Sequence, residues 1–452
     1  MSAPASTGAK QSDDRLSHGA VLAIAVPIIL ANVTTPIIGL VDTAVLGQLG
    51  DPHYIGGVAV GAMIFNLLYW AFGFLRMGTT GLTAQAEGSG NMGEVGATLM
   101  RALLIAGAAG IVLVILQIPI ATLSFALLNG SQAVETAAME YFYIRIWGAP
   151  AALANFAFLG WFIGMGRART ALVLQLVLNG LNVILDIWFV LGLGLEIKGV
   201  AYGTVISETI AAGAGLWLAI GMLKRRHIHF EVSRILDRSA VRRALGVNGD
   251  IMIRTMAVVF AFTWFTAKSA EAGDVILAAN AVLMTLAHTA AYFLDGFAFS
   301  AETLAGQAIG AQRINRFRDA VRLSTLWAIT FSAIASAVFW FGGGMIIDFL
   351  TVNEQVRSAA RVYLVWAAIV PITGVMAYQL DGIFIGATRT ADMRNMMLLS
   401  LAVFILMWAT LTPVLGNHGL WAAIVIFLGL RAITLGLRYP ALVRTSFPAA
   451  NT

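Results

Sequence analysis

The chain reads as an all-α integral membrane protein: twelve transmembrane helices arranged as two parallel six-helix repeats. Three observations predict this. Of 452 residues, 59% are hydrophobic and only 11% charged, where soluble domains carry about 25% charged residues. Apolar runs long enough for helices of about 20 residues to cross a bilayer recur along the whole length, whereas a β-barrel would show short alternating runs. The second half of the chain also echoes the first.

Taken in order, the apolar segments fall at 17–49, 54–87, 95–128, 132–164, 168–194 and 199–223, then at 241–271, 276–309, 318–350, 355–386, 392–416 and 418–444. The first carries Pro27, Pro36 and Asp42. Each proline removes a backbone hydrogen bond and can bend the helix, so both are hinge candidates. The second ends with Ala84-Gln85 and the eighth with Gly306-Gln307, 222 residues later. The fourth ends in Phe162-Ile163-Gly164 and the tenth in Phe384-Ile385-Gly386, at the same offset of 222. Lys198-Gly199-Val200 before the sixth matches His418-Gly419-Leu420 before the twelfth. An even number of crossings per repeat makes the repeats parallel, a pattern of transporters that bind substrate between two halves.

About 20 of the 28 Lys and Arg residues fall on one face of this arrangement, which makes that face cytoplasmic. Lys198, Lys268, Arg357 and Arg361 lie on the other face, and Arg76, Arg145, Arg254 and Arg431 within segments. The division expected is a cytosolic N-terminal tail at 1–16, a first lobe at 17–223, a cytosolic linker at 224–240, a second lobe at 241–445 and a cytosolic C-terminal tail at 446–452. The localisation expected is a bacterial inner (plasma) membrane, multi-pass, with both termini cytoplasmic. The basic residues are then topology signals, and no nucleic-acid partner is implied; lipid is the surrounding partner. Cysteine is absent, which excludes disulfides and thiolate metal sites. The pair His227 and His229 in the linker is too isolated to read as a metal centre. No phosphate-binding loop, zinc-protease motif or nucleophile elbow occurs. The chain reads as no enzyme, with no cofactor beyond a coupling ion.

Charged and amide residues inside membrane helices are costly, so they carry most of the functional information. Asn179, Asn182 and Asp186 in the fifth segment lie within about 60° of one another on a helix. Asp186 and Asp42 each lie about eight residues, roughly 12 Å, from the outer ends of their segments. Thr204 reaches a similar depth in the sixth. These carboxylate, amide and hydroxyl oxygens suit a small hard cation or a shared proton. Two carboxylates in a dry cavity cannot both be ionised cheaply, so the pair is expected to hold one exchangeable cation, H⁺ in preference to Na⁺. Secondary candidates are Asn179, Glu208, Asp295, Arg254 and Asp381. Asp250 stands four residues before Arg254, a favourable helical pairing. Asp381, Glu302 and Glu87 read as shallow gate, loop or cap contacts. Met63, Phe65, Tyr69, Trp70, Tyr143 and Tyr292 are candidates to line an adaptable apolar cavity.

The run Val41-Asp42-Thr43-Ala44-Val45-Leu46-Gly47, the duplicated twelve segments, and Leu380-Asp381-Gly382-Ile383-Phe384-Ile385-Gly386-Ala387-Thr388-Arg389-Thr390 together resemble the MATE family of multidrug and toxin extrusion transporters, in its DinF-like branch. The resemblance implies a V-shaped molecule of two six-helix lobes about a central cleft. It implies a monomer that exports small organic, often cationic or amphipathic, compounds by alternating access, in exchange for H⁺ or Na⁺. The branch's first-lobe cation site falls on Asp42, Asn182, Asp186 and Thr204, and its helix-one proline on Pro27. Another branch places cation-binding acids in the second lobe, where the repeat partner of Asp42 is here Trp264. Coupling is therefore expected in the first lobe. A lipid-linked oligosaccharide flippase of related architecture, an integral membrane enzyme and a channel are the alternatives. The first tends to need a cationic cavity and the second sizeable polar loops.

Overall fold

The computed structural model describes residues 15–126, 131–228 and 231–448. The outer parts of both expected tails and His229 of the linker pair lie outside the described residues. Twelve helical spans are long and apolar enough to cross a membrane: α1 His18–Gly47, α2 Pro52–Gly88, α3 Met92–Ile115, α4 Gln132–Gly164, α5 Ala168–Gly192, α6 Glu196–Arg225, α7 Arg238–Glu271, α8 Asp274–Gly310, α9 Ile314–Leu350, α10 Glu354–Gly386, α11 Thr390–Leu415 and α12 Asn417–Ser446. No β-strand occurs among the described residues.

The third apolar segment is two helices, not one. α3 stops at Ile115 and a short helix, Gln117–Ala126, follows. Pro119 has no N–H to give the carbonyl four residues back, so the chain turns at Leu116. α2 breaks at Phe72-Gly73. Its first piece packs on α4, and its second piece packs on α4 and crosses to α7 and α8. α4 tightens into a 3₁₀ turn at Ile146–Gly148, just where Pro150 lacks an N–H for the Ile146 carbonyl. α5 ends in a π turn at Trp188–Gly192. α7 begins at Arg238, inside the expected linker, with Asp237 as N-cap accepting from the Ala240 amide. Arg226 ties the linker's start to Glu87 of α2 at 2.7 Å.

The lobes meet at the end that carries the basic loops, through the repeat-related positions. Gln85 Nε2 donates to the Gly386 carbonyl at 2.9 Å, and Gln307 Nε2 to the Gly164 carbonyl at 3.0 Å. Glycine makes this approach possible. A Cβ on Gly88 would lie 2.0 Å from the Gln307 carbonyl oxygen, and one on Gly310 would lie 2.1 Å from that of Gln85. Toward the opposite end the packing of α1 loosens. Val21, Ile24, Ala25, Ile28 and Ile29 are buried, while Ile37 and Leu40 beyond Pro36 are exposed.

Candidate functional site

Three helices converge in the first lobe. α5 brings Asp186 and Asn182, one turn apart and both buried. α6 brings Thr204, whose Oγ1 accepts from Asn182 Nδ2 at 3.2 Å and donates to the Val200 carbonyl at 2.9 Å. α1 brings Asp42, whose carboxyl lies within hydrogen-bonding reach of Asp186. Two neighbouring carboxyls share a hydrogen bond only when one of them carries a proton. Asp42 Oδ1, both Asp186 oxygens and Asn182 Oδ1 are sealed from water and have no hydrogen-bond partner. Gly203 allows the arrangement, because a Cβ there would fall 2.1 Å from Asp186 Oδ1. These are oxygen ligands turned inward, chemistry suited to a proton or a small hard cation. Among the described residues no His/Asp/Glu cluster has the make-up of a metal-ligating group.

Asn179 stands apart from this convergence. Its Nδ2 donates to Thr34 Oγ1 at 2.7 Å and its Oδ1 accepts from Gln175 Nε2 at 2.8 Å, so it ties α5 to α1. Both Pro27 and Pro36 lie inside an unbroken α1.

Arg145 on α4 was not singled out by the sequence, yet its charge acts on Asp42, Asp186 and Glu208. It forms no direct ion pair with any of them. Nη1 donates to Tyr141 Oη at 2.6 Å, and the guanidinium lies 4.7 Å from the Phe65 ring centroid and 5.5 Å from that of Tyr141. Aromatic faces thus hold a permanent cation near the acids without letting it occupy their oxygens. The one local signal was Tyr141, a helical turn before Arg145. Glu208 is buried, with its Oε2 against Gly148 and its backbone carbonyl accepting from Asn155 Nδ2 at 2.9 Å.

The second lobe corrects three expectations. Asp250 does not pair with Arg254; it accepts from Arg394 Nη1 at 2.5 Å and Thr390 Oγ1 at 3.0 Å. Arg254, one turn deeper on α7, pairs with Asp381, which also accepts from Arg431 Nη2 at 2.6 Å. Asp381 is therefore no shallow cap but a buried carboxylate between two guanidinium groups. Gly382 explains the depth, since it seats α10 on the Ala298 carbonyl of α8. Glu302 is likewise buried, beside Thr80 and Arg76. Asp295 lies among the charges of Arg76, Arg254 and Arg431, and Arg76 itself covers the Phe299 ring at 4.3 Å.

Of the expected cavity residues, Met63, Trp70 and Tyr143 are exposed, and Tyr292 is half-buried with its carbonyl accepting from Asn32 Nδ2 at 3.4 Å. Phe65 and Tyr69 are buried and cannot line open space. Their rings are turned into the first-lobe core, around Arg145.

Twelve spanning helices in two duplicated lobes, with buried acids between helices rather than at a catalytic surface, define a multi-pass membrane transporter. The MatE family model matches residues 27–188 and 251–411, and the chain belongs to this family of multidrug and toxin extrusion (MATE) transporters. It is 44% identical over 428 residues to the DNA damage-inducible protein F of Escherichia coli (strain K12), covering 94% of this chain and 91% of that one. Its fold is similar to a MATE structure in the straight conformation, with a TM-score of 0.85, 18% identity, and 96% and 97% of the two chains covered. It is also similar to one in the bent conformation, with a TM-score of 0.84, 19% identity, and 94% and 96% covered.

Proposed function

We propose that this MATE transporter is an H⁺-coupled antiporter that exports organic cations and amphipathic compounds by alternating access, with Asp42 and Asp186 as the coupling pair. The observation that carries the reading is the convergence of Asp42 Oδ1, both Asp186 carboxyl oxygens and Asn182 Oδ1, all buried without a hydrogen-bond partner, beside Thr204. With a proton between them the pair is a weak holder of cations; without it, the pair carries the charge that attracts one. Opposite occupancy by proton and substrate gives exchange. Asn182 and Thr204 orient the pair. The loosely packed half of α1, reached through Pro27 and Pro36, supplies a segment free to move with the change in charge. The basic end is cytoplasmic in this reading, both termini included, and the protein works as a monomer in a bacterial inner membrane.

The test is efflux from proteoliposomes under separate pH and sodium gradients. Asp42→Asn and Asp186→Asn are each expected to lower pH-driven efflux about a hundredfold, as for loss of a group essential to the cycle. Full pH-driven efflux in both variants overturns the assignment. Efflux driven by sodium alone transfers the coupling role to Na⁺ at the same oxygens.

A further inference from the structure

The 222-residue offset that relates the lobes carries Asp42 to Trp264 and Asp186 to Trp408. Where the first lobe has an acid pair, the second has a tryptophan pair, and its members also touch. The Trp264 and Trp408 rings meet edge to face, with centroids 4.9 Å apart and planes at 88°. Phe260, one turn before Trp264, stacks on it at 5.6 Å. Lys268, one turn after, holds its ammonium 5.0 Å from the Trp264 centroid and 5.1 Å from that of Trp408. The two lobes thus place a cation-attracting group at the same position by different means: negative charge in one, the negative faces of aromatic rings in the other.

We infer that the Trp264–Trp408 pair is a second subsite for an organic cation, and that Lys268 is its resident placeholder. This rests on the reading of the chain as an exporter of organic cations. A primary ammonium is strongly hydrated and is a poor guest for an aromatic site. A quaternary or aryl-substituted cation gives up less water and covers more ring surface, so it displaces the lysine. Lys268 has a place to go: its Nζ already pairs with Glu271 at 2.6 Å, and Glu271 is mostly exposed. A belt of interfacial tryptophans is the other use of Trp and Lys near a helix end, but such residues turn the indole N–H to water. Here the Nε1 atoms of Trp264 and Trp408 are both sealed and without a hydrogen-bond partner. Their rings, not their N–H groups, are what already meets the Lys268 ammonium.

The experiment is equilibrium binding of tetraphenylphosphonium to the full-length purified protein, in the natural sequence and in an Asp42→Asn, Asp186→Asn background. Lys268→Ala is expected to tighten binding about three- to tenfold, and Trp264→Leu or Trp408→Leu to weaken it by a similar factor. Trp264→Phe, which keeps a ring and guards against a folding defect, is expected to fall between. The same shifts are expected without the acid pair. Unchanged or weaker binding in Lys268→Ala, or natural affinity in both leucine variants, reduces the pair to an interfacial anchor and overturns the inference. Failure of the acid variants to affect pH-driven efflux overturns the coupling reading instead, and leaves these binding shifts as an independent result.

Discussion

At Gly203 one absent methyl group sets the position of a carboxylate. Asp186 occupies the space a Cβ would take, and Asp186 is fully buried, so it has nowhere to retreat. Gly203→Ala is expected to push Asp186 off Asp42 and lower pH-driven efflux at least about tenfold, since displacement by about 1 Å can cost that much. The purified variant should keep its helical circular-dichroism spectrum; natural efflux rates would detach Gly203 from the site. Residue types and depths brought Asp42, Asn182, Asp186 and Thr204 into view together, because membrane helices keep a nearly constant rise per residue. Arg145 escaped because its surroundings come from α2 as well as α4: Phe65 and Tyr69 stand more than 70 residues earlier in sequence. Trp408 was within reach, since the offset that took Asp42 to Trp264 takes Asp186 to it.

On the scale of helices, α10 is held between α7 and α12 by one carboxylate and two guanidinium groups. The Asp381, Arg254 and Arg431 side chains are 6%, 11% and 3% exposed, so removing the acid leaves two buried cations without it. Asp381→Ala is expected to destabilise the protein by about 3–5 kcal/mol, seen as a lowered unfolding temperature in detergent. An additional Arg431→Met should restore part of that loss by removing one of the stranded charges; an unchanged unfolding temperature in Asp381→Ala would show the triad to be dispensable. Helical periodicity could suggest Asp250 as Arg254's partner, because it knows only neighbours one turn away. Its real partner, Asp381, stands 127 positions along the chain, a separation that no local rule reaches. The helix interruptions were more accessible. Pro119 and Pro150 mark the breaks after α3 and within α4, although the surrounding hydrophobicity runs on without interruption.

For the whole molecule, the twelve spans were legible because length and apolarity decide them, and their duplication because matching motifs recur at an offset of 222. The way the lobes close on each other was not. Gln85 and Gln307 were visible as repeat landmarks, but nothing in the sequence said that each would reach the other lobe's helix end. Gly88→Leu with Gly310→Leu is expected to wedge that contact apart. The natural chain has no cysteine, so a single Ser300→Cys reports access to the lobe interface, where Ser300 is now fully buried. Its labelling by a membrane-impermeant maleimide from the basic side should rise about tenfold or more in the double leucine background, a change of about 1.4 kcal/mol or more in the opening equilibrium. Equal labelling would mean that the glycines do not keep this end shut.

At the closed end the tightest approaches are between main-chain atoms. Amides of two glutamines bond to carbonyls of two glycines, and the nearest approaches are glycine against carbonyl. At those points of closest approach the seal has little side-chain chemistry with which to inspect a passenger. A transporter made this way can keep its barrier apart from its filter, so that its range of cargo can widen or narrow by changes deep in the lobes.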